Sequence, residues 1–209
     1  ELGGKGAAVV FDDVDIPEAA EKLVNAITFH TGQVCCDATR WLIQEPIYDT
    51  FVNECVGRLK DIRIGYQMDE GTQMGPVVSD TQHKRVLGYL EKGLAKGAEA
   101  VLEGGAAETG RNGHYVKPAL LAGPLDNVAA REEIFGPVAY LAPFRDEAEG
   151  VRLANDTPYG LANSVWSGDL GRCRRVAAQF EAGNGWINSH NVVVHGVPYG
   201  GIKQSGMSG

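Results

Sequence analysis

The chain of 209 residues carries 19 Lys and Arg against 27 Asp and Glu, a net charge of −8, with 44% hydrophobic and 22% charged residues. This is an ordinary globular composition with an acidic surface, and it argues against a nucleic-acid partner, because phosphate binding needs clustered cations that this chain never assembles. No apolar run approaches the roughly 18 residues of a membrane span, no charged-then-apolar leader opens the chain, and the four cysteines include no C-x-x-C pair, so a cytoplasmic protein with reduced thiols and no membrane partner is expected.

Taken in order, strand and helix patterns alternate almost throughout, and the length suits one large domain. "AAVVF" (7–11) is a short buried strand. "DDVDIPEAAEKLVNAITFH" then opens a helix with acidic residues and Pro17, its apolar positions being Ala20, Leu23, Val24 and Ile27. "RWLIQ" (40–44) is the next strand, followed by a helix with Pro46 in its first turn and Ile47, Phe51, Cys55, Leu59 and Ile62 as its stripe. A third helix is expected over 80–96, with Val86, Leu87, Leu90 and Leu94 on one side, leading to a strand near "AEAVLEG". "YVKPALLAG", "PVAYLAPF", "LANSVWSG" and "GWINS" read as further strands, and "DLGRCRRVAAQFEAG" as a capped helix carrying Leu170, Cys173, Ala177 and Phe180 inward and stopping at Gly183.

Units of this kind predict an α/β fold in three layers, a mostly parallel sheet with helices on both faces. Ligands in such sheets bind beyond the carboxyl ends of the strands, and that is the expectation here. The connections 63–79 and 104–113 read as surface loops, and no internal repeat is present.

Among the cysteines, Cys55 and Cys173 fall on helix stripes and read as packing. Cys35 and Cys36 lie off any stripe, in the small polar turn "TGQVCCDATR", where a thiol can face a cleft and backbone N–H groups can meet an oxyanion. Alone, Glu1 reads as a solvated terminal carboxylate, and the five histidines lack metal-ligand spacing, so no metal is expected.

Six motifs in order, "ELGGK" at 1–5, "GQVC" at 32–35, "REEIFGPV" at 131–138, "NDTPYGLANSVWSGD" at 155–169, "GWINSHN" at 185–191 and "PYGGIKQSG" at 198–206, resemble the NAD(P)-dependent aldehyde dehydrogenase superfamily. The resemblance covers essentially the whole chain. It implies Cys35 as the catalytic nucleophile and Glu1 as the general base for water. Leu2, Glu133 and Phe135 are implied at the nicotinamide end of the cofactor, NAD or NADP. Val34, Cys36, Ser189 and Tyr199 are implied as aldehyde-lining residues, with His195 a looser candidate. A carboxylate at Glu1 favours hydrolysis of the thioester over transfer to coenzyme A, while the kind of aldehyde stays open.

The family's chains are more than twice as long. Residues 1–209 are therefore expected to be a catalytic-domain fragment, without the dinucleotide-binding domain that would hold most of the cofactor and without the strand used for oligomerisation. The full-length protein is expected to be a homodimer or homotetramer and the isolated fragment inactive. A second possibility is a non-catalytic fragment that only binds aldehydes or partner chains. A Cys-His hydrolase finds no recognisable triad partner.

Overall fold

The computed structural model describes residues 2–207. Glu1, the expected general base, lies outside the described residues, as do 208 and 209. The first unit is β1 (Gly6–Val10), α1 (Ile16–Thr28), β2 (Ala38–Gln44) and α2 (Tyr48–Lys60). After a long connection come α3 (Asp80–Ala95), β3 (Glu99–Leu102), the short hairpin of β4 (Gly105–Ala106) and β5 (Val116–Lys117), and β6 (Ala119–Ala122). The chain continues through α4 (Val128–Arg131), β7 (Val138–Phe144), α5 (Glu147–Asn155), β8 (Tyr159–Gly160), β9 (Ala162–Trp166), α6 (Leu170–Ala177), β10 (Asn184–Ile187) and β11 (Ile202–Lys203).

Seven strands form one sheet in the order β10, β9, β1, β2, β7, β6, β3, parallel except for the edge pair β3 and β6, and β11 pairs with β8 apart from it. Burial on both faces explains why β1 reads as an unbroken apolar run: Ala8 and Val10 meet α1 and α2, whereas Ala7 and Val9 meet α5 and α6. Leu23, Ile27, Trp41 and Phe51 pack on the first face, and α3 and α4 cover Leu121, Val138 and Tyr140 on the second. Full burial of such a side chain stabilises the fold by about 1.5–3 kcal/mol. The three-layer α/β architecture is the one expected.

Caps define where the helices begin. Asp15, Ser79 and Asp146 each accept a backbone N–H three residues on, at the starts of α1, α3 and α5. Arg40, buried in β2, donates to the carbonyls of Lys5, Leu153 and Ala154 at 2.7–2.9 Å, tying the sheet to the end of α5.

Three local expectations differ. α5 was not anticipated from its polar, nine-residue sequence, although Val151, Leu153 and Ala154 pack on the sheet. α6 ends at Ala177 rather than running to Gly183, because the Asn155 side chain donates to Gln179 O and accepts from Glu181 N, drawing the chain out of the helix. Leu94 and Leu170, expected inward, are exposed at helix ends. No helix among the described residues is long and apolar enough to cross a membrane.

Candidate active site

The turn that carries the paired cysteines is built from unusual backbone. α1 ends with Thr28 Oγ1 bonded back to Val24 O, and three consecutive residues then take left-handed conformations: His30 (φ 52°), Thr31 (φ 58°) and Gly32 (φ 68°). For β-branched Thr31 this is an outlier that costs of order 1–3 kcal/mol. Its hydroxyl donates to Gly75 O, and the Gln33 amide spans His30 O and Val78 N, so side chains hold the strained segment on both sides. Asp37 N then closes a turn on Val34 O at 3.1 Å, placing Cys35 and Cys36 at its two central positions before β2 begins.

The segment leading into β1 passes directly against this turn. A Cβ on Gly4 would fall 2.6 Å from the Cys35 carbonyl oxygen, so only glycine allows that approach. Gly4 N–H donates to Glu133 Oε1 at 3.1 Å, and Leu2 N–H to Ser205 O. Glu133 and Phe135 follow α4, with Phe135 also left-handed (φ 61°). Gln82 on α3 holds this loop by donating to the Ile134 and Phe135 carbonyls at 3.1 and 2.7 Å, and Arg85 donates to those of Ile134 and Glu133.

Together these segments enclose an open cleft of about 740 Å³, lined by Leu2, Gly3, Gln33, Val34, Cys35, Gln82, Arg85, Glu133 and Phe135. That volume lies in the range of small-molecule sites. The half-buried Cys35 also meets Tyr199, whose hydroxyl lies 3.9 Å from its sulfur. Tyr199 in turn borders a hollow of about 290 Å³ between Trp186 and the exposed segment Val192–Val197. Cys35 therefore lines a cleft of mixed polar and apolar walls, and Tyr199 separates it from a valine-lined hollow. Burial, followed by its contacts with the two cysteines, raises the Tyr199 phenol above the usual range and keeps it protonated.

Cys36 is buried, donates to Asn191 Oδ1 at 3.4 Å, and is pushed up to about 11 chiefly by burial. Its thiol stays protonated near neutrality. His190 donates from Nε2 to the Cys36 carbonyl at 2.9 Å and packs on Trp186, and burial lowers it to about 4. Cys55 and Cys173 are fully buried on α2 and α6, as their stripes predicted.

Of the residues singled out in the sequence, Leu2, Val34, Cys35, Glu133 and Phe135 share the cleft. Tyr199 joins at the sulfur and Cys36 lies beneath. Ser189 goes elsewhere: it lines a separate hollow of about 340 Å³ beside α1, with Phe29 and Val192, and its hydroxyl donates to Ile187 O. His195 is exposed and lines none of these cavities. Gln82 and Arg85, three residues apart on the polar side of α3, were missed in the sequence because nothing local distinguishes them from solvated helix residues.

The position in the sheet also differs from expectation. The cleft is built by the segments that enter β1, β2 and β7, so it sits at the amino ends of the parallel strands and not beyond their carboxyl ends. The chain after β10 folds back along α1, where Lys22 Nζ donates to Asn188 O, and so returns Asn191 and Tyr199 to the same end.

The aldehyde dehydrogenase family profile matches residues 1–209. Betaine aldehyde dehydrogenases from Brucella anthropi and Sinorhizobium fredii are 43% and 45% identical to it over 99% of this chain and 43% of their own length. A crystal structure of Staphylococcus aureus betaine aldehyde dehydrogenase, in complex with NAD+ and with a BME-modified cysteine, superposes with a TM-score of 0.95 at 37% identity, covering 99% of this chain and 43% of that one. HpcC from Thermus thermophilus gives the same TM-score at 42% identity over 99% of this chain and 41% of its own. The chain thus spans less than half the length of these relatives. With the family match running its full length and the fold agreeing throughout, the chain belongs to the aldehyde dehydrogenase family.

Proposed function

We propose that this chain is the catalytic part of an NAD(P)-dependent aldehyde dehydrogenase that converts an aldehyde to a carboxylic acid, with Cys35 as nucleophile and Glu1 as general base. The observation that carries the reading is the position of Cys35, half-buried at the centre of a turn between the cleft of Glu133 and Phe135 and the hydroxyl of Tyr199. A carboxylate and an aromatic ring on the cleft wall suit the hydroxyls of a ribose and the flat ring of a nicotinamide. Glu133 and Phe135, with Leu2, would hold that end of the dinucleotide.

The Cys35 thiolate adds to the aldehyde carbon and leaves an oxyanion for N–H donors of the turn to stabilise. A dinucleotide held by Leu2, Glu133 and Phe135 would supply the hydride acceptor for oxidation of this adduct to a thioester on Cys35. Glu1 takes a proton from water, which attacks the thioester carbonyl, releases the acid and restores the thiolate. Cys36 stays a neutral neighbour beneath the nucleophile, and Val34 and Tyr199 border the aldehyde. The relatives put betaine aldehyde first among substrates to test, followed by semialdehydes and plain aliphatic and aromatic aldehydes.

The test is reduced-cofactor formation from such a panel with NAD+ and NADP+, using the whole protein that carries these residues, alongside Cys35→Ala. Aldehyde-dependent turnover that disappears in Cys35→Ala supports the reading. Turnover that survives the substitution defeats it.

A further inference from the structure

The segment returning after β10 brings a buried imidazole against the cysteine turn, and the reaction above gives it no task. His190 is 8% exposed and packs on Trp186 with ring centroids 4.8 Å apart, and the Trp186 indole N–H closes the segment by donating to Val192 O at 2.8 Å. The imidazole Nε2 lies 2.9 Å from the Cys36 carbonyl oxygen. A carbonyl oxygen only accepts, so the proton sits on Nε2, and Nδ1 is a bare lone pair, buried with no hydrogen-bond partner. The ring is therefore a fixed, neutral donor.

From that donor the hydrogen bonds continue through the main chain. Cys36 O belongs to the same peptide group as Asp37 N–H, which donates to Val34 O at 3.1 Å, and Val34 O belongs to the same peptide group as Cys35 N–H. The described residues include no cis peptide bond, so in each group the N–H points away from the C=O, and the chain of bonds leads from the imidazole outward to Cys35 N–H. Bonds linked in this way polarise one another, each strengthening the next donor. Cys35 N–H is on the same residue as the attacking sulfur, which puts it within reach of an oxygen on the carbon bonded to that sulfur.

We propose that His190 is a positioning residue which, through the Cys36–Asp37 and Val34–Cys35 peptide groups, orients and polarises Cys35 N–H toward the oxyanion formed when the Cys35 sulfur adds to a carbonyl. The inference rests on the reading of Cys35 as the nucleophile and adds a residue to its support. A second contact keeps the two segments in register, because the Cys36 thiol donates to Asn191 Oδ1 beside the imidazole. Asn191 holds a left-handed backbone (φ 58°) to make it.

The experiment compares two reactions of one thiol. With p-nitrophenyl acetate the Cys35 sulfur adds to the ester carbonyl, an oxyanion forms and collapses, nitrophenolate leaves and a thioester remains; with iodoacetamide the same sulfur displaces iodide and no oxyanion forms. Both rates are read at Cys35 by peptide mass mapping, in the whole protein, for the unaltered chain, His190→Phe and His190→Gln. Phenylalanine keeps a ring on Trp186 and removes the donor, whereas glutamine keeps a side-chain N–H. His190→Phe should lower acylation relative to alkylation by about three- to tenfold, less than the loss of an oxyanion donor itself, because only a supporting link is removed. His190→Gln should restore the ratio to within about twofold. An unchanged ratio in His190→Phe, equal slowing of both reactions, or a glutamine variant no better than the phenylalanine one overturns the proposal. Should His190→Phe fail to fold, the nitrogen NMR spectrum of the unaltered protein decides: the Nε2–H tautomer at neutral pH supports the chain of bonds, and the Nδ1–H tautomer or a doubly protonated ring rejects it. Neither reaction needs aldehyde or dinucleotide, so the expected change in ratio in a protein that oxidises no aldehyde would count against the functional reading and leave the role of His190 standing.

Discussion

A methyl group on Gly32 would lie 2.3 Å from the carbonyl carbon of Gly136, so the cysteine turn and the Phe135 loop touch backbone to backbone across a sequence separation of 104 (136 − 32). Gly32 also has φ 68°. Gly32→Ala is expected to destabilise the protein by roughly 1–3 kcal/mol through overpacking, and to displace Cys35 and Phe135 together. A denaturant titration with cofactor binding checks this, and an unchanged midpoint would contradict the contact.

Cys35 should be alkylated well before the other thiols. It is half-buried at the cleft, whereas Cys55 and Cys173 are fully buried and Cys36 is 6% exposed. Peptide mapping after brief labelling reads the order. Comparable labelling of Cys55 or Cys173 would reject the assignment, and earlier labelling of Cys36 would move the nucleophile by one residue.

Glu1→Gln should preserve the first formation of reduced cofactor and slow steady turnover by about 10²–10⁴-fold, since only thioester hydrolysis needs the activated water. Rapid mixing should record a burst followed by a suppressed steady rate. Loss of the burst in a folded, cofactor-binding variant would refute the division of labour.

Arg85→Ala removes the guanidinium donor to the Glu133 carbonyl and one of the two side-chain donors to the Ile134 carbonyl, the other being Gln82. Charged hydrogen bonds of this kind contribute about 1.5–3 kcal/mol, so the KM for dinucleotide should rise by about tenfold or more while the alkylation rate of Cys35 changes little. A rise confined to the aldehyde KM would place the loop in a different role.

Between about pH 4 and about pH 7, two buried groups should give stability opposed pH dependences. Asp37 is raised by burial to about 7 from 3.8, so its contribution is present in acid and is lost as pH rises from about 4 through about 7. His190 is lowered to about 4 from 6.5, so its contribution is present above about 6.5 and is lost as pH falls through about 4. Between these limits the two slopes oppose. Asp37→Asn should therefore gain stability relative to the unaltered protein as pH rises toward 7, and His190→Gln should gain as pH falls toward 4. Thermal melts across this range test both signs, and parallel curves for all three proteins would refute both.

Much of the fold was legible because periodicity is local. Leu23, Val24 and Ile27 on α1, and Phe51, Cys55 and Leu59 on α2, face the sheet as their spacing predicts. α5 was not legible, since nine polar-rich residues give too short a stripe. The end of α6 was not either, because the group that stops it is the side chain of Asn155, more than twenty residues away.

For the site, the sequence by itself determined the cysteine pair in a glycine-bearing turn, the glycines ahead of β1 and the likeness of six motifs to one family, all properties of residue type and spacing along the chain. Only the tertiary structure decided that the cleft lies at the amino ends of β1, β2 and β7, that Tyr199 reaches Cys35 while Ser189 turns aside, and that Lys5 and Asp37 are buried opposite one another. The physical reason is that burial and long-range pairing belong to strand register and to the return path after β10. A lysine and an aspartate look solvated in the sequence until parallel strands are laid side by side and water is excluded from between them.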